Sequence, residues 1–436
     1  MSFRTVTFIL QRSACSVWYA RLAIDHKGKH MFVSRKRSAA VAVAMGVALV
    51  ASACGSSSKS SGNSSGSTTS SPSATVAPTL SSFTVDFSAM NQLKSLAAQG
   101  KGLIGVLLPD TTSSARYETF DRPYLQKAFE AAGLSSSQFK IDNAQGSAST
   151  MQTQAEADIT NGASVLLIDA LDSGSGAAIE ASAKAKGVAV IDYDRLVKGG
   201  SPDRTYVSFD NVKVGQLIGQ GEIDCITAWK VNKPQLIVMD GDPTDNNATL
   251  FSQGYNGVLK PKFDSGAYVK VSEPVGTWTP SIAATTFEQQ LTAHPNINAA
   301  VTPNDDNANA VIAVLQRQKT PAKTFPTTGQ DASLAGLQNI LKGFQCGTVY
   351  KPIYVEAQSA VAIALYVRAG QKPPATLVNG TTKDTTSNTD VPSSLLTPVW
   401  VTTDNMAATV VKDAAVSKTN LCVTALAAAC AAAGIK

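Results

Sequence analysis

The chain has 436 residues, of which 44% are hydrophobic and 16% are charged, so it can bury more than one core. Its formal net charge is +5, but residues 1–53 hold eight Lys and Arg against one acid and contribute +7 of it. The remaining residues therefore carry about −2, which excludes a nucleic-acid-binding protein that relies on a basic surface. After residue 53, no apolar run reaches the length that a transmembrane helix needs.

The first 53 residues have the pattern of an export signal. The basic stretch Ser34-Arg35-Lys36-Arg37 precedes an apolar run over 39–50 that is too short for a stable membrane span. Small residues then lead to Cys54. This arrangement resembles a bacterial lipoprotein signal with Cys54 as the acylated first residue of the mature chain, although Ala51 stands where Leu is usual. The alternative is an ordinary signal peptide that contains a cysteine.

The segments around this signal have no composition that could form a core. Because Met31 lies just ahead of the basic stretch, we interpret residues 1–30 as an upstream extension, with a longer signal as the alternative. Residues 55–79 consist mainly of Ser, Gly and Thr, a composition typical of a flexible tether. We therefore expect a leader over 1–53, a lipid-anchored linker over 54–82 and a folded part at the outer face of the cell membrane.

From residue 103 onward, short apolar runs alternate with helical patterns. The predicted strands cover residues 103–108, 139–141, 165–168, 188–191, 206–209, 236–239, 268–271, 299–301, 327–329 and 348–350. The predicted helices include 122–132, 150–161, 212–229, 282–292, 307–318 and 356–369. Such regular alternation predicts an α/β fold with parallel sheets covered on both faces. The number of units exceeds one ordinary domain, so we expect two, with a break near the turn-rich residues 194–200.

Polar side chains follow the predicted strands directly, and these are Asp110, Asp169, Asp194, Asp245, Asn304 and Asp331. The carboxyl ends of parallel strands line the cleft of an open α/β protein, so ligand groups should gather there. An Asp at this position also often caps the next helix, and we favour capping for Asp110 and Asp169. Asp245 has both interpretations. The segment from Asp245 to Phe251 offers carboxylate and amide groups but no nucleophile, which indicates a polar small molecule that is held and not transformed.

Several longer motifs share a characteristic order and spacing. They are Tyr193-Asp194-Arg195, Ser208-Phe209-Asp210-Asn211, Asp245-Asn246-Asn247-Ala248, Trp278 with Pro280, Asn304-Asp305, Gly329-Gln330-Asp331, Thr348-Val349-Tyr350-Lys351-Pro352 and Asp390-Val391-Pro392-Ser393. With these motifs, roughly residues 101–405 resemble the periplasmic sugar-binding proteins of the type I fold, in particular the D-xylose-binding proteins of ABC importers. The resemblance implies two doubly wound parallel-sheet domains joined by a multi-strand hinge. It places residues 101–195 and 353–395 in an N-terminal lobe, and residues 196–352 and 396–436 in a C-terminal lobe with its tail.

The resemblance also implies a set of sugar contacts. Carried over by motif, they are Arg116, Asp194, Arg195, Asn247, Trp278, Asn304, Asp331 and Lys351. The chain departs from the family in having Tyr117 where Trp is usual beside that arginine, and in a tail with two cysteines. The change at Tyr117 bears on which sugar fits, so xylose is an expectation that depends on this position.

The chemistry of these residue types fits a sugar. Planar Asp, Asn and Arg groups can each engage two adjacent hydroxyls, and an aromatic ring covers the C–H face of a pyranose. Trp278 suits the second role, as does Tyr117 or Phe251. Trp278 could instead be a core residue, but its polar loop argues against this. Lys351 is either a ligand or a group that bridges the hinge.

An enzyme is disfavoured. No Gly-x-Ser-x-Gly motif occurs, and His294 is the only histidine after the leader, so a serine triad would lack its base. An acid pair of Asp194 and Asp331 would be needed for a glycosidase. We expect no cofactor and no metal. The expected function is to capture a monosaccharide, as a monomer, and deliver it to an ABC permease whose separate ATPase hydrolyses ATP; the alternative is a sugar sensor for a membrane receptor.

Four cysteines follow Cys54, namely Cys225, Cys346, Cys422 and Cys430. An even number in an exported chain predicts two disulfides, with three possible connectivities, whereas a zinc site would need a CxxC spacing that is missing. The helix over 212–229 should carry Cys225 away from the cleft, and Cys346 precedes a strand that starts at that same far end. We therefore predict Cys225–Cys346, with Cys422–Cys430 as a local pair in the tail.

Overall fold

The computed structural model describes residues 77–436, and the predicted leader, Cys54 and the linker up to residue 76 lie outside the described residues. The strands are β1 (Leu103–Leu108), β2 (Phe139–Asn143), β3 (Ala163–Ile168), β4 (Ala189–Tyr193), β5 (Thr205–Phe209), β6 (Gln235–Val238), β7 (Val269–Ser272), β8 (Ala299–Val301), β9 (Thr348–Tyr350), β10 (Gly380–Asp384), β11 (Thr389–Leu396) and β12 (Val399–Val401). The predicted α/β fold is confirmed.

The helices complete a regular alternation with these strands. They are α1 (Lys94–Gln99), α2 (Arg122–Ala131), α3 (Ala148–Thr160), α4 (Ser173–Ala185), α5 (Asn211–Ala228), α6 (Asn246–Asp264), α7 (Pro280–Ala293), α8 (Asp305–Arg317), α9 (Leu334–Lys342), α10 (Ile353–Arg368), α11 (Lys418–Leu421) and α12 (Ala427–Ala432). Short 3-10 or π-helical segments cover Leu80–Ser82, Ser88–Leu93, Tyr117–Asp121, Ala407–Val411 and Thr424–Leu426. Between residues 77 and 436, no helix is both long and apolar enough to cross a membrane.

The first lobe is built on a seven-stranded sheet with the order β10-β11-β5-β4-β3-β1-β2. Its strands are parallel except for the antiparallel β10–β11 pair. Side chains of β1 alternate between two cores, with Ile104 and Val106 in the core that includes α2 and α10 and Leu107 in the core that includes α3 and α4. Because both faces of the sheet are covered, its strands form continuous apolar runs that are visible in the sequence.

The boundary of the first lobe lies later than predicted. We expected residues from 196 onward in the second lobe, but β5 pairs in parallel with β4 and with β11 in the first sheet. Residues 194–200 are thus a loop within one sheet. The chain crosses between the lobes three times, after β5, after β9 and after β11. We therefore define the first lobe as residues 77–209 and 353–396, and the second lobe as residues 211–350 and 399–436.

The second lobe has a parallel sheet of β7, β6 and β8. The bridges Ala300–Thr327 and Gln330–Val349 extend it toward β9, which pairs antiparallel with β12. The predicted strand over 327–329 is thus reduced to isolated bridges. Helices α5 and α6 pack closely on this lobe because Gly215 faces Gly254, and a Cβ on either glycine would overlap the backbone of the opposite helix.

Two disulfides hold the second lobe, and both predicted pairs are confirmed. Cys225 of α5 is bonded to Cys346 just before β9, with their Cα atoms 5.8 Å apart and a sequence separation of 121 residues. Cys422 is bonded to Cys430 within the tail, with a Cα separation of 5.9 Å. Tail residues pack in one core with residues of α9 and β12, so the tail is part of the second lobe.

Candidate functional site

A cavity lies between the two lobes beside the crossover that follows β9. Its lining residues are Ser113, Ser114, Arg116, Tyr117, Asp194, Arg195, Asp245, Asn247, Phe251, Trp278, Asn304, Gln330, Asp331 and Lys351. All nine residues that we predicted as sugar-binding are among them. They come from loops that follow β1 and β4 in the first lobe and from loops or helix starts in the second lobe, as expected for the carboxyl ends of parallel strands.

Arg116 is held by three carboxylates. Its Nε and Nη2 donate to Asp121 at 2.8 and 2.6 Å, its Nη1 donates to Asp194 at 2.9 Å, and its Nη2 also donates to Glu356 at 2.8 Å. Burial raises the pKa of Glu356 well above its ordinary value, although Arg116 acts in the opposite direction. Charged hydrogen bonds of this kind fix the plane of the guanidinium, so Arg116 is positioned before any ligand arrives.

Asp194 has a strained backbone and a stabilised charge. Its φ of +58° lies in the left-handed region, which non-glycine residues rarely adopt and which often marks functional sites. Burial raises the pKa of Asp194, but the charges of Arg116, Lys351 and Arg195 outweigh this effect and hold the pKa below its ordinary value. Asp194 is therefore a carboxylate at neutral pH, able to accept hydrogen bonds from hydroxyl groups.

Arg195 links the two lobes. Its Nη2 donates to the hydroxyl of Tyr117 at 2.9 Å, and its Nε lies 3.4 Å from Asp245 of the second lobe and 3.5 Å from Asp169 of the first. The guanidinium carbons of Arg116 and Arg195 each lie 5.5 Å from the centre of the Tyr117 ring. Tyr117 is thus fixed by its hydroxyl contact and by two cations near its ring.

Asn247 and Asp245 begin α6 at the wall of the cavity. The Oδ1 atom of Asp245 accepts from the backbone N–H of Asn247 at 2.8 Å, so Asp245 caps this helix and also lines the cavity. The amide of Asn247 donates to the carbonyl of Asp194 at 2.8 Å and accepts from Tyr206 at 3.1 Å and Asn211 at 2.9 Å. Asn247 therefore borders the cavity with an orientation that three protein contacts determine.

Trp278 is a half-buried aromatic wall and does not belong to the core proper. Its Nε1 donates to Asp245 at 3.2 Å, and its ring meets Phe251 edge to face at a centroid distance of 6.5 Å. The indole packs directly over Gly241, where a Cβ would overlap it. These contacts orient one apolar ring beside the polar groups of the cavity.

Asn304, Asp331 and Lys351 form the opposite side. Lys351 Nζ lies 2.9 Å from Asp331 Oδ1, while Asp331 Oδ2 accepts from Ser114 of the first lobe at 2.9 Å. Asn304 caps α8 with its Oδ1 and donates through Nδ2 to the carbonyl of Ser113 at 3.1 Å. Asp331 also has a positive φ, of +88°. Since these contacts join residues of both lobes, the lobes are closed on each other.

The capping prediction was wrong for Asp169. Helix α4 begins three residues later than such a cap requires, and Asp172 caps it. Asp169 is instead fully buried beside Arg195, and neither of its side-chain oxygens has a hydrogen-bond partner. Burial, with a further contribution from Asp194, raises the pKa of Asp169 well above its ordinary value. The capping prediction was wrong for Asp110 as well, because it accepts from the backbone N–H groups of Thr112 and Ser113 in a loop, and the next helical segment begins only at Tyr117.

Sequence reasoning missed Ser113, Ser114 and Gln330 as lining residues. Gln330 is 3% exposed, and its Oε1 has no hydrogen-bond partner within the protein. A buried polar atom without a partner is uncommon, and here it borders the cavity. The available signal was its position within the motif Gly329-Gln330-Asp331, directly before a predicted ligand residue.

The electrostatics of the cavity favour an uncharged ligand. Arg116, Arg195 and Lys351 each already contact at least one carboxylate, at distances from 2.6 to 3.5 Å. Within residues 77–436, no three His, Cys, Asp or Glu side chains are grouped so that they could hold a metal ion. The site thus offers oriented donors and acceptors around one aromatic wall, which suits a neutral molecule with several hydroxyl groups.

Comparisons with known proteins agree with this chemistry. Residues 104–372 match the family described as a periplasmic binding protein domain. The chain is 37% identical over 327 residues to the D-xylose-binding periplasmic protein of Escherichia coli K12, an alignment that covers 74% of this chain and 93% of the relative. It is 31% identical to a multiple sugar-binding periplasmic protein of Azospirillum brasilense, over 72% of this chain and 89% of that relative.

A solved structure shows the same similarity in three dimensions. It is the carbohydrate transporter solute-binding protein of Chloroflexus aurantiacus in complex with D-glucose, which superposes with a TM-score of 0.65 at 28% identity. The match covers 73% of this chain and 98% of that one. These similar proteins are solute-binding proteins and not enzymes, in agreement with the sequence interpretation.

Proposed function

Since the chain belongs to the periplasmic binding protein family, among its sugar-binding members, we propose that it captures a xylose-like monosaccharide between its two lobes. The observation that carries this proposal is the cavity itself. Eight residues predicted from motifs, together with Tyr117, line one cavity although they are spread over more than half the chain. The names of the relatives, which refer to D-xylose and to multiple sugars, support a monosaccharide as the ligand.

The roles of the lining residues follow from their chemistry. Asp194 and Asp331 accept hydrogen bonds from sugar hydroxyls, while Arg116 and Lys351 donate to them. Trp278 covers the C–H face of the ring. Because protein contacts already orient these groups, little side-chain entropy is lost when the sugar binds, and this preorganisation favours affinity.

The neutral balance of the cavity defines the ligand class further. A sugar acid or sugar phosphate would bring a negative charge to cations that carboxylates already neutralise, and it would be repelled by Asp194 and Asp331. Tyr117 reaches Arg195 with its hydroxyl, a contact that an indole at this position could not make in the same way. We infer that Tyr117 helps to determine which neutral pentose or hexose the cavity binds.

The proposed role in the cell is delivery to an ABC permease. Sugar that contacts both lobes stabilises their closed arrangement, which a permease with its ATPase can distinguish from the open form. Acylation of Cys54 would hold the protein at the outer face of the cell membrane. Intact-mass measurement of the membrane-extracted protein tests the anchor, and an unmodified Cys54 would contradict it. Loss of sugar uptake after deletion of the gene tests the transport role.

A thermal-shift panel tests the ligand class. The purified protein is heated with D-xylose, D-glucose, D-galactose, D-ribose, D-glucuronate and glucose 6-phosphate. A ligand at about one hundred times its Kd should stabilise the protein by about 2.7 kcal/mol and raise its melting temperature. We expect such a shift for at least one neutral pentose or hexose and none for the two anions. The proposal fails if no neutral sugar produces a shift.

A further inference from the structure

Three consecutive residues of the first lobe are each held by a different side chain of the second lobe. The carbonyl of Ser113 accepts from Asn304 at 3.1 Å, and the hydroxyl of Ser114 donates to Asp331 at 2.9 Å. The backbone N–H of Ala115 donates to Asp306 at 3.0 Å. The second lobe therefore holds the loop over 113–115 by hydrogen bonds at three successive residues.

Asp306 differs from Asn304 and Asp331 in its location relative to the cavity. Asn304 and Asp331 line the proposed sugar cavity, whereas Asp306 does not. Asp306 lines a neighbouring groove, which Ala115 and Phe120 of the first lobe and Ala415 of the tail also border. A change at Asp306 therefore alters the contact between the lobes without removing a group that faces the sugar.

The contact of Asp306 is chemically favourable. Ala115 lies at the start of the helical segment that runs through Tyr117–Asp121 into α2, where the first backbone N–H groups have no partner within the helix. A carboxylate at this end supplies an acceptor and also interacts favourably with the helix dipole. In this molecule the carboxylate comes from the other lobe.

We propose that Asp306 is a positioning residue that latches the closed form and so prolongs the residence of the bound sugar. Its bond to Ala115 joins residues of different lobes, so it exists when the lobes are closed and is broken when they separate. An interaction present only in the closed form slows opening without changing the encounter of sugar with the open cleft. This inference rests on the proposed function for its kinetic consequence, but the latch itself is a property of the two lobes.

The first test is kinetic. Stopped-flow fluorescence with the sugar that gives the largest thermal shift measures association and dissociation for the parent, Asp306→Ala and Asp306→Asn. We expect Asp306→Ala to raise the dissociation rate about fivefold to tenfold and leave the association rate within about twofold. Asp306→Asn keeps one acceptor oxygen and should lie between the two. The matched control is Asp264→Ala, which removes an exposed carboxylate of the same lobe that pairs with Lys260 within α6.

The second test needs no sugar. Spin or dye labels on Lys186→Cys in the first lobe and Lys319→Cys in the second report the distance between the lobes. We expect Asp306→Ala to shift this distribution toward wider separations, in the sugar-free protein and at intermediate saturation, while its melting temperature without sugar stays that of the parent. The latch is refuted if Asp306→Ala matches Asp264→Ala in both dissociation rate and distance distribution. If no sugar binds the parent, the proposed function fails, and the distance measurement still decides the latch.

Discussion

The two lobes share one architecture but are stabilised by different chemistry. The first lobe contains buried ion networks, one around Arg116 and another in which fully buried Arg204 contacts Asp192 at 2.9 Å and Asp384 at 3.0 Å. The second lobe contains both described disulfides. Its site residues sit on loops and helix starts, such as Trp278 in the loop before α7.

The two lobes also have different roles at the cleft. The first lobe presents Arg116, Tyr117 and Asp194 as a rigid platform, because each is bound to other groups of the same lobe. The second lobe supplies Trp278 and Asp331, which complete the cavity when the lobes meet. We propose that the platform orients the sugar and that the second lobe closes over it. Variants that remove these contacts should therefore affect the two lobes differently.

The largest effect is expected for Arg116→Ala. This change leaves Asp121, Glu356 and Asp194 buried without their shared cation, so the free energy of unfolding should fall by about 3–5 kcal/mol. Urea unfolding measures this, with Lys260→Ala as a surface control that should change stability by less than about 0.5 kcal/mol. Equal stability of the two variants would mean that the network does not hold the first lobe.

The second lobe should respond to loss of its long-range disulfide. The double variant Cys225→Ser with Cys346→Ser opens a link between positions 121 residues apart, and we expect a loss of about 2–5 kcal/mol. The pair Cys422→Ser with Cys430→Ser spans only 8 residues and should cost less. Urea unfolding of both double variants checks the order. A larger loss for the tail pair would contradict the assignment of the long-range disulfide as the main covalent support of this lobe.

At the cleft, Trp278→Ala should weaken sugar binding about tenfold to a hundredfold, or about 1.4–2.8 kcal/mol. The fold should persist because the indole faces a cavity and is only half-buried. Calorimetric titration with D-xylose and D-glucose measures the effect. Trp229→Ala, outside the cavity, is the control and should bind as the parent does. Unchanged affinity in Trp278→Ala would show that the indole does not contact the sugar.

The smallest effect is expected for Asp169→Asn, in contrast to Asp194→Asn. Both carboxyl groups are buried near Arg195, but the pKa is raised at Asp169 and lowered at Asp194. Asp169 does not line the cavity and neither of its side-chain oxygens has a hydrogen-bond partner, so its replacement should change the Kd by less than about threefold. Asp194→Asn removes a charged acceptor and should raise the Kd about tenfold or more. Calorimetry on the two variants decides, and equal losses would show that Asp169 contributes to sugar binding as much as Asp194 does.

The sequence predicted the fold well where burial leaves a clear pattern. Strands covered on both faces, such as β1 and β3, appear as apolar runs whichever neighbours they have. The same property explains the misplaced boundary, since the composition of β5 does not reveal which sheet it joins. The hairpin of β10 and β11 was not predicted as strands because it consists largely of polar residues at the edge of the sheet.

The candidate site was predictable residue by residue only where a motif identified it. Motifs identified Asp194, Trp278 and Asp331, and all three line the same cavity in the folded chain. The environment of Asp169 was not predictable, because a strand-terminal Asp has the same local sequence whether it caps a helix or lies beside an arginine. Contacts across the cleft, such as Asp306 with Ala115, join positions 191 residues apart and leave no local signal.

Calorimetric titration of D-xylose into the purified protein tests the central claim most directly, with D-glucuronate as the charged counterpart. We expect saturable heat with one sugar per chain for D-xylose or another neutral monosaccharide, and no binding of D-glucuronate at the same concentrations. Absence of heat with every neutral monosaccharide, or binding of D-glucuronate as tight as that of the neutral sugar, would contradict a neutral sugar site between the lobes.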